Sequence, residues 1–247
     1  MIPTRAARFY LDQPLQAGWV TLPTATAHHV RVLRLQVGDS VTLFNGAQQA
    51  WQGELVALEP AAVQLISPAA NDCELPYPLT VLQSLVEPSK MDWVIEKAVE
   101  LGVARVQPIA AARSVTKLDD ARAAKRLAHW RAIAVAASQQ CGRNHVMQVL
   151  APLTPAQALQ AEGLHLGQST QWLLHPEGGT ALQAWCQAHA PQALALWIGP
   201  EGGWSPAELA QLEAAGAQRV GFGKRVLRTE TAALAVAAAV QALWCTA

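Results

Sequence analysis

The sequence predicts an α/β fold with a mainly parallel sheet, preceded by a small β-barrel domain. Strand-like segments with alternating polar and apolar residues fill residues 1–67, whereas strand and helix patterns alternate after residue 78. The last quarter of the chain adds two glycine-bearing loops, each after a short apolar run and before a helix-like run. Such loops can lie side by side at the edge of a parallel sheet where open α/β folds bind small ligands.

The composition is that of a globular protein. Of the 247 residues, 51% are hydrophobic and 15% are charged, and 18 Lys and Arg balance 18 Asp and Glu. Zero net charge argues against a strongly basic nucleic-acid binder but permits a local basic face. The cysteines at 73, 141, 186 and 245 lack zinc-site spacing, so we expect reduced thiols, no metal and a cytoplasmic location. We expect no signal peptide, and the uncharged stretch 231–247 is too short to span a membrane.

The first domain is predicted to cover residues 1–70. Residues 40–46 have the pattern of a strand followed by an Asn-Gly turn, and residues 51–58 and 62–66 alternate as half-buried strands do. Residues 28–35 predict a short helix between the strands. The turn-rich segment 67–78 then marks a boundary, and a second domain is expected over 76–247.

The second domain is predicted to alternate strands and helices. Apolar runs of strand length occur in five places, at 79–86, 105–109, 147–150, 172–174 and 194–198. Helical patterns occupy the intervals between them, at 89–101, 119–139, 154–161 and 180–190. This order is typical of a parallel sheet covered by helices.

The first glycine-bearing loop is Ile198-Gly-Pro-Glu-Gly-Gly-Trp-Ser205. Its glycines allow backbone conformations closed to other residues and let a ligand approach the main chain. The following Ser205-Pro-Ala-Glu208 has the spacing of a capping box. The glycine spacing matches neither a dinucleotide-binding fingerprint nor a Walker loop, so a phosphate cradle is unsupported. Taken alone, the loop is equally well explained as a tight strand-to-helix turn.

The second loop, residues 221–232, crosses to a helix that starts near Thr229 or Thr231. This helix carries no charge after Glu230 and is apolar on all sides. A helix that is apolar all round is buried all round, which predicts burial against both its own sheet and a second subunit. The alternative is a C-terminal helix with a core-facing side only.

The two loops together resemble a family signature. Ile198-Gly-Pro-Glu-Gly-Gly203 and Arg225-Val-Leu-Arg-Thr-Glu-Thr-Ala232 are similar to segments of the RsmE family. These are SPOUT-superfamily methyltransferases that methylate N3 of a uridine in 16S ribosomal RNA. The resemblance extends over nearly the whole chain, with a PUA-like segment at 28–39 and catalytic-domain motifs at 90–102, 112–115 and 138–143.

This resemblance implies a deep C-terminal trefoil knot, a homodimer with the site at its interface, and S-adenosylmethionine as cofactor. It also implies 16S ribosomal RNA as the partner, within the small ribosomal subunit. The expected cofactor-binding residues lie on three strand-end loops: Leu174, His175, Pro176, Ile198, Gly199, Pro200, Glu201, Gly202, Gly203, Val220, Gly221, Phe222, Gly223, Val226, Leu227, Arg228, Thr231 and Ala232.

The catalytic candidates are Arg228 and Glu230. The implied reaction is displacement at the sulfonium methyl group by uridine N3, which must lose its proton, and a cation near O2 or O4 would stabilise the developing anion. Arg228 is the first candidate for that cation, but an ion pair with Glu230 or Glu201 explains it equally well. Glu230 either orients Arg228 or caps the final helix, and a direct base role is less favoured. Trp204 is expected to line the ligand pocket.

RNA contacts are expected from scattered arginines, although a single surface arginine usually serves only solubility. Arg31 and Arg34 flank an apolar helix face, so both can face solvent together. The full set of expected RNA-binding residues is Arg5, Arg8, Arg31, Arg34, Arg113 and Arg143.

Three other functions remain open at this stage. One is a SPOUT methyltransferase acting on transfer RNA or on a ribose, against which the full-length match argues. Another is a noncatalytic RNA-binding or assembly protein with the same fold. The third is a nucleotide-dependent enzyme of the dinucleotide-binding type, which the missing Gly-x-Gly-x-x-Gly disfavours.

Overall fold

The computed structural model describes residues 6–47, 49–69, 73–177 and 179–245. Two compact units are formed by the chain. The first consists of described residues within Met1–Glu74 together with Ser138–Val146, and the second of those within Leu75–Ala137 and Met147–Ala247. The segment at 138–146 therefore packs with the N-terminal unit, although it follows most of a long helix of the second.

The first unit is built on a five-stranded sheet with one helix. Its strands are β1 (Ala7–Tyr10), β2 (Gly18–Thr21), β3 (Ser40–Phe44), β4 (Ala50–Leu58) and β5 (Ala61–Pro68). They are arranged in the order β1-β3-β4-β5-β2, and only the β1–β3 pair is parallel. The strands expected from the alternating pattern are confirmed, and their inward side chains form the unit's core.

The helix of this unit, α1 (Thr24–Val32), begins and ends earlier than the predicted 28–35. It ends because Arg34 takes a left-handed conformation, with φ of 56°, and the N–H of Leu35 donates to the carbonyl of Val30. That bond closes the last turn in the manner of a Schellman motif. The apolar periodicity continues past Val32, so the sequence pattern placed the end of the helix too late.

The second unit contains seven strands and six α-helices among its described residues. Its strands are β6 (Leu79–Ser84), β7 (Arg105–Ile109), β8 (Gln148–Val149), β9 (Thr170–Leu174), β10 (Thr180–Ala181), β11 (Leu194–Ile198) and β12 (Gln218–Gly221). Its helices are α2 (Pro88–Glu100), α3 (Asp120–Cys141), α4 (Pro155–Gln160), α5 (Leu182–Ala188), α6 (Pro206–Ala214) and α7 (Thr229–Trp244). The last turn of α3 belongs to the first unit.

The seven strands form one parallel sheet in the order β10-β12-β9-β11-β6-β7-β8. One local expectation was wrong: Thr180 and Ala181 were predicted as helical, but they pair with Val220 and Gly221 as an edge strand before α5 begins. Backbone pairing at the sheet edge therefore overrides the helical pattern of these two residues.

The last helix, α7, packs chiefly against α2, and also against α5, β6 and β11. Its buried positions are Thr229, Ala233, Leu234, Val236, Ala237 and Val240. The trefoil knot that the family resemblance implies stays a prediction. No helix within the described ranges has the length and apolarity needed to cross a membrane.

Candidate functional site

Three neighbouring strands bring the predicted loops to one edge of the sheet. β12, β9 and β11 are adjacent and parallel, so their carboxyl ends, at Gly221, Leu174 and Ile198, point to the same edge. This is the position at which open α/β sheets bind ligands. The juxtaposition follows from strand order, which the sequence pattern alone does not give.

A pocket opens at this edge, and half of the predicted cofactor residues line it. They are Leu174, His175, Pro176, Val220, Phe222, Gly223, Val226, Leu227 and Ala232. Lys224 and Arg225 also line the pocket, although they were not among the predicted residues. The remaining predicted residues lie outside the lining: Ile198, Gly199, Pro200, Glu201, Gly202, Gly203, Gly221, Arg228 and Thr231.

The pocket lining combines apolar side chains with available main-chain groups. Leu174, Val220, Phe222 and Leu227 supply apolar surface. Within the described part of the chain, the backbone groups of 222–227 make no hydrogen bond with other backbone groups. Backbone donors and acceptors that lack internal partners must be satisfied by water or by a ligand. Such a lining fits a flat heterocycle with polar edges, such as an adenine ring.

The first glycine-bearing loop is held in place by the segment before α3. The guanidinium of Arg113 donates to the carbonyls of Gly202 and Trp204, at 3.1 and 3.3 Å. The N–H of Ala112 donates to the Glu208 carboxylate at 2.8 Å, and Glu208 also completes the predicted capping box with Ser205. The loop is therefore positioned from outside itself, by residues about 90 positions earlier.

Trp204 belongs to the core and does not line the pocket. Its side chain is 8% exposed and meets Trp197 edge to face, with ring centroids 6.3 Å apart. A Cβ atom at Gly199 would lie only 3.0 Å from the indole nitrogen of Trp204. This corrects the expectation that Trp204 lines the ligand pocket. The indole needs the space that Gly199 leaves open, which gives that glycine a packing role.

A lysine that the sequence reasoning did not single out connects the loop to the final helix. Lys90, on α2, places its Nζ 3.8 Å from Glu201 Oε1 and 3.5 Å from Glu230 Oε1. The side chain of Glu230 is only 12% exposed, and its Oε2 is buried without a hydrogen-bond partner. Lys90 opens the family-like segment 90–102, which was the only sequence signal for it.

Arg228 precedes α7 as its N-cap residue, and its carbonyl accepts from the N–H groups of Thr231 and Ala232. Its side chain is exposed and forms no ion pair with any described residue. The alternative of an ion pair with Glu230 or Glu201 is therefore wrong, because both carboxylates face Lys90. Glu230 sits in the first turn of α7, where a carboxylate is favourable.

The six arginines predicted to bind RNA fall into different environments. Arg31 and Arg34 are exposed at the end of α1, as expected. Arg113 is exposed but uses its guanidinium to clamp the first loop. Arg5 lies outside the described residues.

Arg8 and Arg143 have structural roles within the first unit. Arg143 is 3% exposed and forms a bidentate ion pair with Glu74, at 3.0 and 2.5 Å. Arg8 donates to Asn144 at 2.7 Å and lies over the ring of Phe44, 5.0 Å from its centroid. The expectation of RNA contact is corrected for Arg143, because its guanidinium is buried and donates from Nε and Nη2 to Glu74. Arg8 is half-buried and directs its donors inward.

Within the ranges that the structure describes, no group of three or more His, Cys, Asp or Glu side chains is arranged to hold a metal ion. The described cysteines are all free thiols.

Comparison with known proteins gives a consistent result along the chain. A family model for an RNA methyltransferase domain matches residues 73–241, and one for an RNA methyltransferase PUA domain matches residues 22–66. The ribosomal RNA small subunit methyltransferase E of Synechocystis sp. is 34% identical over 231 residues, covering 91% of this chain and 73% of that protein. Its counterpart in Bacillus subtilis is 31% identical, covering 86% of this chain and 85% of that protein.

A solved structure agrees with this. The crystal structure of a ribosomal RNA small subunit methyltransferase E from Neisseria gonorrhoeae, bound to S-adenosyl methionine, superposes with a TM-score of 0.88 and 37% identity. The superposition covers 97% of this chain and 98% of that one. By sequence and by fold, over nearly its whole length, the chain belongs to the ribosomal RNA small subunit methyltransferase E family.

Proposed function

We propose that this protein transfers a methyl group from S-adenosylmethionine to N3 of a uridine in the 16S ribosomal RNA of the small subunit. The observation that carries the proposal is a pocket at the carboxyl edge of the parallel sheet, lined by the loops after β9 and β12, with the loop after β11 at the same edge. Family membership supports methyl transfer to this RNA, since the relatives are named ribosomal RNA small subunit methyltransferases.

The pocket residues are the proposed holders of the cofactor. Apolar side chains of Leu174, Val220 and Leu227 would face the adenine ring, and the main chain of 222–227 would satisfy its polar edge. The first glycine-bearing loop would close the site from the side of β11. Its fixation by Arg113 supports this role, because a preformed loop loses little entropy when a ligand binds.

When bound, the cofactor supplies a methyl group already activated by the positive charge on sulfur. The protein must align uridine N3 with that methyl group and stabilise the negative charge left when N3 loses its proton. Arg228 is the proposed cation for this charge, because its exposed guanidinium has no internal partner among the described residues. We assign Glu230 the task of holding Lys90 at the start of α7, in place of orienting Arg228.

A homodimer is proposed through the exposed side of α7. The residues left exposed or partly exposed on this side lie at helical spacing and are small or apolar, namely Thr231, Ala235, Ala238, Ala239, Ala242 and Leu243. Such a stripe permits close packing against a second copy. Because Arg228 and Thr231 begin the same helix, this interface would adjoin the cofactor pocket.

The first unit is proposed as an RNA-binding module, supported by its match to a PUA model and by the exposure of Arg31 and Arg34. We propose a cytoplasmic location, because the proposed substrate is ribosomal. The proposed partner is the assembled small subunit and not naked RNA. A trefoil knot is the proposed topology of the cofactor site.

The test is to delete the gene in its host and map small-subunit ribosomal RNA by mass spectrometry. Loss of one N3-methyluridine, restored by a plasmid copy of the gene, is expected. Retention of every N3-methyluridine in the deletion strain would contradict the proposal. Loss of a ribose methylation or of a transfer-RNA modification would instead favour another SPOUT activity.

A further inference from the structure

A basic groove lies in the second unit, away from the residues of the cofactor pocket. Its walls are Pro88 at the start of α2, the segment Thr116–Leu118, and one side of α3. The groove encloses about 610 Å³, far more than a single bound ion requires. Neither the proposed chemistry nor the predicted RNA-binding arginines use any of its residues.

Positive charge is concentrated on the α3 wall. Arg122, Lys125, Arg126 and His129 lie at positions i, i+3, i+4 and i+7, so they share one face of the helix. Lys117 adds a cation from the facing segment. The chain as a whole has a formal net charge of zero, so this face differs from the average surface.

The nearby carboxylates neutralise only part of this charge. Asp119 pairs with Arg122 at 3.2 Å, and Asp92 forms a hydrogen bond with the ring of His129 at 2.9 Å. Lys125 and Arg126 have neither an ion pair nor a hydrogen bond within the described part of the chain. Their charges are therefore available to a ligand, and the groove is open to solvent beside them.

The groove is connected to the proposed reaction centre through α2. Pro88 lines the groove, and Lys90, two residues later, pairs with Glu201 and Glu230. A polyanion along the groove would thus reach the first turn of α2, which also carries Lys90 on another side of the helix. An RNA strand has this character, because it carries a negative phosphate at every nucleotide.

We infer that this groove binds the phosphate backbone of the ribosomal RNA on one side of the target uridine, with Lys125 and Arg126 as its main phosphate contacts. The inference rests on the proposed function, since it specifies where that substrate's backbone lies. Contacts of this kind position the RNA and carry no base specificity.

The test compares two double variants with the same change in net charge. Lys125→Gln/Arg126→Gln removes the two available cations of the groove. The control, Lys97→Gln/Arg105→Gln, removes cations that are engaged elsewhere, with Glu96 and Glu100 and with Gln148. Both pairs take the formal net charge from 0 to −2. The probes are small ribosomal subunits and a 16S ribosomal RNA transcript, both lacking the methyl group.

The groove variant is expected to bind both probes at least about tenfold more weakly than the control variant. The slope of log affinity against log salt should fall by roughly one to two, as for one or two lost phosphate contacts. Unchanged affinity for S-adenosylmethionine checks that the variant is folded.

Affinity and salt slope equal to those of the control would overturn the inference. So would weaker binding to subunits combined with normal binding to the transcript, because the groove would then contact a ribosomal protein. Methyl transfer by the wild-type enzyme is measured separately. If methyl transfer is absent, the proposed reaction is wrong. The difference in binding between the two variants still tests whether the groove binds the RNA backbone.

Discussion

Two cations near the start of α7, Lys90 on α2 and the N-cap residue Arg228, differ in their ion pairing. Lys90 is engaged with Glu201 and Glu230, whereas the Arg228 side chain is exposed and without an ion pair in the described structure. A cation already neutralised by two carboxylates is poorly suited to stabilise a new negative charge. We therefore assign Arg228 to the substrate and give Lys90 a structural role, in which it holds Glu201 and Glu230 together.

Replacing Arg228 by alanine is expected to lower kcat for methyl transfer by about 100-fold or more, because a charge-stabilising donor is removed from the transition state. Arg228→Lys should recover part of that loss, since the charge is kept while the geometry changes. The measurement is steady-state methyl transfer to unmethylated small subunits. Arg219→Ala, which removes a cation paired with Glu213, serves as the control. Turnover of Arg228→Ala at the wild-type rate would remove this residue from the mechanism.

Replacing Lys90 by glutamine should destabilise the fold and impair the site together. The nearly buried Glu230 carboxylate would lose the one cation that the structure pairs with it, at a cost of roughly 1–3 kcal/mol. We expect a lower urea midpoint and a lower kcat/KM, with Lys90→Arg restoring much of both. Lys97→Gln, on the same helix, is expected to leave the midpoint unchanged because its carboxylate partners are solvated. Equal midpoints for the two glutamine variants would contradict the structural role of Lys90.

Residue type alone does not predict whether an arginine is exposed or buried. Arg31 and Arg143 were both expected at the surface, yet Arg31 is exposed and Arg143 is buried against Glu74. Glu74 lies 69 residues before Arg143, so this pairing depends on the fold. The role of Lys90 was missed for the same reason, since its two carboxylates lie more than 100 residues away.

At the scale of elements, the glycine-bearing loops differ in function more than their sequences suggest. The second loop lines the pocket directly, whereas the first lies outside the lining and packs over Trp204. The local signals were nevertheless informative, because the capping box at Ser205 and the strand before it both form as predicted. Short-range hydrogen bonds decide such features, so neighbouring residues suffice to predict them.

The C-terminal end of α7 is fixed by an aromatic cluster. The indole of Trp244 donates to the carbonyls of Cys186 and His189, both at 3.1 Å, and meets the ring of Tyr77 edge to face. Burial raises the pKa of Tyr77 above its ordinary value near 10, and the nearby thiols of Cys245 and Cys186 add to the shift. The hydroxyl itself is buried without a hydrogen-bond partner.

This environment predicts a loss of stability in alkali. Above pH 10 the unfolded chain releases the Tyr77 proton while the folded chain retains it, so the free energy of unfolding falls by up to about 1.4 kcal/mol per pH unit. Tyr77→Phe should be close to neutral at pH 7 and should reduce the alkaline decline, which urea unfolding at pH 7 to 11 measures. Part of the decline would remain, because burial also raises the pKa of Cys186.

Tyr10→Phe is the matched control, since the chain has two tyrosines and the other lies in the first unit. Burial also raises the pKa of Tyr10, and the nearby Asp12 carboxylate adds to the shift. An identical alkaline decline in the wild type and in Tyr77→Phe would show that this buried hydroxyl does not control it.

At the scale of the whole molecule, the division into two units is not the simple one that the sequence suggests. The segment Ser138–Val146 belongs to the first unit, where Asn144 accepts from Arg8 and Gln139 accepts from the N–H of Tyr10. The chain therefore returns to its first unit after building part of the second. The turn-rich linker shows where the local composition changes, but it gives no sign that residues 138–146 pack with the first unit.

The proposed dimer gives a prediction at the same scale. Ala238→Glu places a charge in the middle of the exposed stripe of α7, where dimer formation would bury it unpaired. We expect this variant to sediment as a monomer, with an unchanged circular dichroism spectrum, and to lose methyl transfer if the site requires both subunits. Ala210→Glu, on the exposed side of α6, should remain dimeric. A wild-type protein that sediments as a stable monomer when dilute would contradict the proposal directly.

The sequence by itself determined the fold class, most strands and helices, the family and the loops that reach the carboxyl edge of the sheet. The fold class and the elements follow from periodicity and turn residues, which act over short distances along the chain, whereas the family follows from its resemblance to known motifs. Only the tertiary structure decided that Arg113 holds the first loop, that Lys90 joins Glu201 to Glu230, and that Arg143 is buried. Each of these depends on which distant segments become neighbours, and strand order and packing set that together.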